Sequence, residues 1–467
     1  MGDMAHHAER NTSNRIVLLV VTMSSFITPF MGSAVNIALP SIGQEFGMDA
    51  VLLAWVTTSY LLAGTVFLLP FGRIADIYGR KKIFTCGIII FTASSVLTTL
   101  STSAVMLIAS RVLQGIGGAM IFGTGVAILT SVFPPRERGK VLGINVSAVY
   151  LGLSLGPFLG GLLTQYAGWR SIFWLNLPLG LIIITYLFWK LKGEWAEAKG
   201  EKFDLSGSLI YGLGIIALIY GLSLLPEISG ALLTGIGVVC ILLFIWWETR
   251  TASPILHMDL FRHNRVFAFS NLAVLISYSA TFAVAFLLSL YLQYVKGFSP
   301  QNAGLVLVAM PTVQAIFSPY AGRFSDRVSP QLVASVGMAL TTIGLGLLVF
   351  LNQQTPVGFI VASLTVLGTG FALFSSPNTN AIMSSVEKKF YGVASATIGT
   401  MRQVGMMFSM AISMLIISLY VGRVEITPQY HAAFTMSLKT AFIIFAVLCF
   451  GGVFASLARG TAPKSPK

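Results

Sequence analysis

The sequence predicts an all-α membrane protein with 14 transmembrane helices, arranged as two six-helix halves with an inserted helix pair between them. Three observations support this fold class. The 467 residues are 55% hydrophobic and only 10% charged, whereas a soluble globular chain carries roughly 25% charged residues. The apolar residues fall into long unbroken stretches separated by short polar loops. A short charged turn occurs at 72–82 and again at 322–327, which indicates a duplicated half.

The apolar stretches have the length of transmembrane helices, which need about 20 mainly apolar residues. Lipid offers no partners to backbone polar groups, so these stretches are predicted to be helical. Their continuous apolar character excludes the alternating pattern of a transmembrane β-barrel. The predicted spans are 15–39, 51–71, 83–102, 104–132, 140–166, 170–190, 205–225, 230–248, 266–292, 300–321, 331–351, 356–382, 394–420 and 436–458.

The basic residues predict which side of the membrane each loop faces. With a cytoplasmic N-terminus, 23 of the 29 Lys and Arg residues fall in cytoplasmic segments and 4 in outer loops. We therefore expect a multi-pass protein of the cell membrane with both termini in the cytoplasm. The net charge of +13 is spread over short loops rather than gathered on one face, which argues against nucleic acid as a partner.

The two copies of the charged turn fall on the same side and in different halves, as in transporters built from parallel six-helix repeats. The predicted organisation is a cytoplasmic tail at 1–14, an N-terminal six-helix half at 15–190, a cytoplasmic linker at 191–204, inserted helices 7 and 8 at 205–248, a cytoplasmic loop at 249–265, a C-terminal six-helix half at 266–458 and a cytoplasmic tail at 459–467.

Several motifs occur in order along these helices. They are VNIALP at 35–40, GRIADIYGRKK at 72–82, RVLQGIGGAM at 111–120, GLSLGPFLGG at 152–161 followed by GWRSIFWLNLPLG at 168–180, GRFSDR at 322–327 and MRQVG at 401–405. Together they resemble the major facilitator superfamily, in its fourteen-span drug:proton antiporter branch. The resemblance implies a secondary-active transporter that exports small lipophilic compounds by alternating access, with proton coupling.

The charged turn is predicted to be a gating loop. Its candidate residues are Gly72, Arg73, Asp76, Gly79 and Arg80 in the first copy and Gly322, Arg323 and Asp326 in the second. The glycines permit a tight turn and close helix approach. The resemblance implies that Asp76 caps a helix in the opposite half and pairs with an arginine, and anions do favour helix N-termini.

The fifth span carries an antiporter-like glycine pattern. Gly152, Gly156 and Gly160 recur every four residues on one helix face, with Pro157 and Gly161 beside them. Small residues let helices approach closely in lipid, and a proline bends the helix. The pattern predicts close helix packing, and a seal or rocking contact against the other half.

Three polar residues are predicted to lie inside or near the membrane. Arg111 stands well inside span 4, with Gln114 one turn further on the same face. An arginine at mid-membrane costs at least ~2.5 kcal/mol on insertion scales, so it needs a partner or a cavity. Arg402 is expected near the cytoplasmic start of span 13, where its side chain can reach the interface.

None of the 16 acidic residues and none of the 5 histidines is predicted at mid-span. The resembled branch usually carries an acid in helix 1, and alignment on Pro40 places Met31 there. Three accounts stay open. In the first, protons are handled near Asp76 and Arg111. In the second, another cation couples through neutral oxygens such as Asn36, Asn145 and Asn378. In the third, the protein is an uncoupled or differently coupled carrier of an organic anion or metabolite, contacted by Arg111 and Arg402.

The resemblance also implies which side chains line a substrate cavity. The candidates are Phe26, Phe30, Met31, Asn36, Tyr60, Asn145, Tyr150, Tyr278, Gln314, Phe374, Asn378 and Met406. Apolar pockets with few polar groups suit bulky amphipathic ligands. The expected partners are a small-molecule substrate, protons and membrane lipid, and the chain is expected to act as a monomer.

The sequence predicts that the protein is not an enzyme. The loops carry no nucleotide-binding motif, catalytic dyad or metal cluster, and they are too short for a catalytic domain. Cys86, Cys240 and Cys449 lie inside apolar stretches without metal-ligand spacing. We therefore expect neither a metal nor a cofactor.

Overall fold

The computed structural model describes residues 2–189, 193–251, 254–256, 258–387 and 391–460, without the side chains of 2–13, 135, 136, 139 and 326. Within these ranges, 14 helical segments are long and apolar enough to cross a membrane. This confirms the predicted number of spans. The segments, numbered span 1 to span 14 in chain order, are Asn14–Phe46, Ala50–Tyr78, Arg80–Thr99, Ala104–Val132, Lys140–Ala167, Arg170–Trp189, Leu205–Leu224, Ile228–Glu248, Arg265–Val295, Pro300–Ser325, Pro330–Leu348, Val357–Ser384, Tyr391–Tyr420 and Pro428–Ala458.

Several helices depart from a single regular cylinder. The first helix begins at Gly2, inside the predicted N-terminal tail. Span 6 is divided at Leu175, and span 10 is divided at Val308. Span 9 ends in a short π-helix, Tyr291–Val295. A six-residue helix, Met258–His263, comes before the start of span 9. Proline at 157 and 377 lies inside spans 5 and 12, where it removes a backbone hydrogen bond and favours bending.

Each half has the same kind of packing. In the N-terminal half, span 1 packs along span 5, and span 4 packs between spans 2 and 3. In the C-terminal half, span 12 packs between spans 10 and 11, and span 9 packs along spans 13 and 14. The buried fraction of the apolar window is 72% for span 2 but 17% for span 8. Span 2 is therefore central, and span 8 turns most of its surface toward lipid.

The two halves meet at a contact that we call the outer seam. We call the face at which span 1 ends the outer face and the opposite face the inner face. Asn36 O accepts a hydrogen bond from Ser289 Oγ at 2.6 Å, and Ala50 N donates to Val424 O at 3.1 Å. Span 5 packs against the outer part of span 10. The pathway between the halves is therefore closed toward the outer face.

The inserted helices, spans 7 and 8, lie beside the junction of the halves. Span 7 packs against span 2 of one half and span 13 of the other. The Tyr211 hydroxyl donates to Thr65 O at 3.1 Å, and Ser418 Oγ donates to Leu225 O at 3.4 Å. The inserted pair therefore contacts both halves of the protein.

Candidate functional site

The first gating loop joins spans 2 and 3 through Gly79, whose φ of 125° is a backbone conformation that favours glycine. Arg80 Nε donates to Asp76 Oδ1 at 2.7 Å. The same guanidinium binds both carboxylate oxygens of Glu197, at 2.7 and 3.1 Å, and Ser131 Oγ at 2.6 Å. The arginine expected to pair with Asp76 is thus on its own loop. The described residues show no cap by Asp76 on a helix of the opposite half in this outer-closed arrangement.

The linker after span 6 lies directly on the gating loop. We call residues 193–204 the linker strap. Glu194 Oε1 accepts from Lys81 N at 2.8 Å, and Glu201 Oε2 pairs with Arg73 Nη2 at 2.5 Å. The backbone contributes as well, because Arg80 N donates to Trp195 O at 2.8 Å. Three linker acids therefore bind three groups of the gating loop, which are the side chains of Arg73 and Arg80 and the backbone amide of Lys81.

The pKa of Glu197 is held below its ordinary value, chiefly because the Arg80 side chain donates hydrogen bonds to it. Its side chain is 66% exposed, so water weakens the ion pair. The sequence offered one signal for the strap, since acids at 194, 197 and 201 recur at near-helical spacing, but it did not indicate which basic residues they bind. The strap was not among the residues predicted from the sequence.

The second copy of the charged turn is less enclosed. Gly322 lies against span 12, because a Cβ built on it would be 3.0 Å from Ser376 Oγ. Arg323 is exposed, and the side chain of Asp326 lies outside the described residues. A gating role for Arg323 and Asp326 stays a prediction.

The glycines of span 5 serve two different contacts. A Cβ at Gly152 would overlap Phe26 O, one at Gly156 would overlap Ser33 Oγ, and one at Gly160 would be 2.9 Å from the Cα of Ala34. These three glycines face span 1, so they hold two helices of the same half together. This is the close helix packing predicted for the pattern.

The neighbouring face of span 5 meets the other half. A Cβ at Gly161 would lie 2.6 Å from Pro300 O, and one at Gly304 would overlap Pro157 O. Tyr166 Oη donates to Gln301 Oε1 at 3.0 Å nearby. The outer seam therefore depends on close backbone contact between spans 5 and 10. Gly161 and Gly304 allow this contact because they have no side chain.

Arg111 lies seven residues into span 4 and is completely buried. Its Nε donates to Val56 O at 3.1 Å, and its Nη1 donates to Gln114 Oε1. The guanidinium stacks 4.4 Å from the centre of the Tyr60 ring. Its Nη2 has no hydrogen-bond partner among the described residues. The arginine is thus held by spans 2 and 4 without an acidic partner.

A polar chain continues from this arginine. Gln114 Nε2 donates to Ser95 Oγ at 2.7 Å, and Asn176 Nδ2 donates to the same oxygen at 3.2 Å. Asn176 also borders a cavity of about 10 Å³, which is room for one water molecule. The chain connects spans 2, 4, 3 and 6, so it stabilises the packing of the N-terminal half.

Arg402 lies eleven residues, about 16 Å, from the start of span 13 at Tyr391. Nη2 donates to Thr379 Oγ1 at 3.3 Å, and the guanidinium lies 5.7 Å from the Tyr278 ring centre. Nε is buried without a hydrogen-bond partner among the described residues.

Both halves contribute to the surroundings of Arg402. The hydroxyls of Tyr150 and Ser375 lie 3.5 Å apart across the junction of spans 5 and 12. Tyr278 packs edge-to-face on Phe371, with ring centres 5.2 Å apart. Met406 follows Arg402 by one turn on the same helix face. We call Tyr150, Tyr278, Phe371, Ser375, Thr379, Arg402 and Met406 the Arg402 pocket.

The other predicted cavity residues are placed differently. Phe26 stacks on Phe30 at 5.7 Å and borders a pocket of about 180 Å³ between spans 1, 5 and 6. Asn145 and Gln314 are buried, and the Oδ1 of Asn145 has no partner among the described residues. The remaining five are buried, and their place at a substrate cavity stays a prediction; they are Met31, Asn36, Tyr60, Phe374 and Asn378.

The burial of Asn378 has a specific cause. Arg459, just beyond span 14, is 1% exposed and donates to Asn378 Oδ1 at 2.6 Å and to Pro330 O at 2.7 Å. Burial lowers the pKa of Arg459 to about 10, which leaves the guanidinium charged at neutral pH. This arginine ties the inner ends of spans 11, 12 and 14 together. No role beyond membrane orientation was predicted for Arg459 from the sequence.

Comparison with known proteins agrees with this architecture. The riboflavin transporter RibZ of Clostridioides difficile (strain 630) is 28% identical over 443 residues, covering 95% of this chain and 96% of RibZ. The cephamycin export protein CmcT of Amycolatopsis lactamdurans is 30% identical over 469 residues, covering 97% of this chain and 95% of CmcT.

The solved structures agree in fold. The crystal structure of a bacterial homologue of the human lysosomal transporter Spinster, in an inward-facing and occupied conformation, matches with a TM-score of 0.65 at 16% identity. That match covers 95% of this chain and 96% of the other. The family model described as Major Facilitator Superfamily matches residues 21–270 and 270–467. The chain therefore belongs to the Major Facilitator Superfamily and is a multi-pass membrane transporter rather than an enzyme.

Proposed function

We propose that this transporter exports small lipophilic compounds through a central site, the Arg402 pocket, that is exposed alternately to the two faces of the membrane. The observation that carries the proposal is that Tyr150 of one half and Ser375 of the other meet there, 3.5 Å apart. A site built from both halves changes its access when the halves rock against each other. CmcT and the similar tetracenomycin C resistance and export protein of Streptomyces glaucescens are both named as export proteins, which supports export.

The pocket favours aromatic compounds that are neutral or negatively charged. Tyr278 and Phe371 offer ring surfaces, and Arg402 Nε offers a donor that has no hydrogen-bond partner among the described residues. Within the described residues, no acidic side chain lies at mid-span to balance a cationic ligand. A like charge at Arg402 disfavours a cation, whereas a carboxylate or carbonyl group gains a hydrogen bond.

A second function is supported by the same observation, namely transport of an organic anion or metabolite. RibZ, named as a riboflavin transporter, is similar to this chain over nearly its whole length. A planar polar heteroaromatic compound suits a pocket with tyrosines and one unpaired arginine donor. The two functions differ in whether the charged group of the ligand is required or only tolerated.

Alternating access, in this proposal, uses two devices. The glycine contact between spans 5 and 10 closes the outer side, and the gating loop with its linker strap controls the inner side. We also propose that protons drive export, that both termini are cytoplasmic, that the protein resides in the cell membrane and that it acts as a monomer surrounded by lipid. The strong basic bias of the inner loops supports the orientation.

Ligand binding to the purified protein tests the substrate class. The probes are a neutral polycyclic aromatic amide, its carboxylate and its quaternary ammonium analogue. We expect Arg402→Gln to weaken binding of the carboxylate about 10- to 150-fold, because a hydrogen bond to a charged group contributes roughly 1.5–3 kcal/mol. Arg262→Gln, at an exposed arginine of the short helix Met258–His263, is the matched control. Tightest binding of the ammonium compound, or no effect of Arg402→Gln, would contradict the proposal.

A further inference from the structure

Two carboxylates lie together at the inner end of the inserted helix pair, apart from the gating loop and from Arg402. Asp204 caps span 7, with Oδ1 accepting from Gly207 N at 2.8 Å. Glu248 is the last residue of span 8 and is 3% exposed. A Cβ built at Gly207 would lie 2.5 Å from Asp204 Oδ2 and 2.9 Å from Glu248 Oε1. These two oxygens therefore face the same point.

The hydrogen bonds of the pair leave one oxygen unsatisfied. Asp204 Oδ2 accepts from Trp247 Nε1 at 2.8 Å, and Glu248 Oε2 accepts from Leu256 N at 2.8 Å. Glu248 Oε1 is buried and has no donor among the described residues. A buried acceptor without a donor is unfavourable, and a second carboxylate beside it adds repulsion. Both problems disappear if the carboxyl group carries a proton.

The charges on neighbouring elements do not neutralise the pair. Asp204 is the charged side chain that acts on Glu248. The other charged or titratable groups on the packed elements are turned elsewhere. Lys202 and Arg250 are exposed, Glu201 pairs with Arg73, and the buried Tyr211 donates to Thr65 O. His257 lies outside the described residues, so its replacement serves as a control below.

We propose that Asp204 and Glu248 form a proton-binding site, in which one proton resides on Glu248 Oε1 and is hydrogen-bonded to Asp204 Oδ2. Loss of this proton leaves two adjacent negative charges, which repel and separate. Leu256 lies in the loop that leads from span 8 to the C-terminal half, and Glu248 holds its backbone. Proton binding is therefore linked to how the inserted pair holds this loop. The site does not depend on which substrate is carried.

Infrared difference spectroscopy of the purified full-length protein, recorded between neutral and alkaline pH, tests the site. We expect native protein to show the carbonyl band of one buried carboxylic acid at neutral pH and to lose it on titration. Glu248→Gln should lack this band, because its amide keeps an acceptor for Leu256 N and donates to Asp204. Trp247 fluorescence should lose the matching pH step in Glu248→Gln. Glu227→Gln, an exposed outer acid, and His257→Asn should retain both signals.

Several outcomes would overturn the proposal. One is a band that persists in Glu248→Gln, since another acid would then carry the proton. A second is a native protein without any such band, which would mean that both carboxylates are ionised. A third is specific binding of Na⁺ or Ca²⁺ that abolishes the titration, because the pair would then be a metal site. If Glu248→Gln does not fold, Asp204→Asn keeps the helix cap, and it must shift the native band if the proton is shared.

Discussion

The contact between spans 5 and 10 makes a sharp prediction about the closed outer side. Gly304 and Pro157 are so close that a Cβ on Gly304 would overlap Pro157 O and lie 3.1 Å from its carbonyl carbon. The obstacle is backbone inside two helices, so it cannot rotate away as a side chain could. Gly304→Ala must therefore push the two halves apart at the outer seam.

The magnitude follows from the size of the overlap. Overpacking by a methyl group in a closely packed interface costs about 1–3 kcal/mol. If this cost falls only on the outer-closed state, the ratio of outer-open to outer-closed molecules should rise about 5- to 150-fold. The variant should still fold, because span 5 keeps its separate glycine contact with span 1 inside the N-terminal half.

Spin-label distance measurements can determine the populations of the outer-open and outer-closed states. The labels are placed at Thr102→Cys and Gln354→Cys, exposed outer positions in opposite halves, after Cys86, Cys240 and Cys449 have been replaced. Gly304→Ala should enlarge the population with the longer distance. Gly143→Ala on span 5 is the matched control, because nothing lies within 4 Å of a Cβ there. Equal distance distributions in the two variants would refute the assignment of this contact as the outer closure.

Three further predictions follow from other contacts. Glu197→Gln should free the linker strap, so that a spin label at Lys199→Cys becomes mobile. Because Arg80 lowers the pKa of Glu197, the native strap should stay bound at every pH above the ordinary carboxyl pKa and should loosen only as the pH falls through the lowered pKa. A label that is equally mobile in both proteins at neutral pH would contradict this. Arg459→Met should lower the thermal unfolding temperature, because it removes the donor to the buried Asn378 Oδ1 at a cost of about 1–3 kcal/mol, whereas the exposed Arg327→Met should not. Reporters fused after Lys467 and inserted in 193–204 should both read cytoplasmic, and an outer reading at either place would contradict the orientation.

Much of the fold could be predicted because its determinants are local. Span number depends on the length of apolar stretches, and the fourteen predicted spans match the observed helices to within a few residues at most ends. The close contacts of Gly152, Gly156 and Gly160 also followed from their spacing, since residues four apart share a helix face. Such features need no knowledge of distant parts of the chain.

The partners of individual polar groups could not be predicted in the same way. Nothing near Asn378 in the sequence indicates that Arg459, 81 residues later, donates a hydrogen bond to its side chain. Thr379, which accepts a hydrogen bond from Arg402, likewise lies 23 residues before it. The linker strap depends on how 193–204 returns to the gating loop, which no local pattern encodes. Sequence patterns therefore located the functional regions, whereas tertiary packing decided which side chains meet.

The central claim is that the protein exports lipophilic compounds by secondary-active transport. The most direct measurement is accumulation of the neutral and carboxylated aromatic probes in inside-out vesicles, with and without an imposed pH gradient. Native protein should accumulate them several-fold above vesicles without the protein when the interior is acidic, and collapse of the gradient should release them. Probe accumulation that is the same with and without the pH gradient would contradict the account, and so would equal probe accumulation in vesicles with and without the protein.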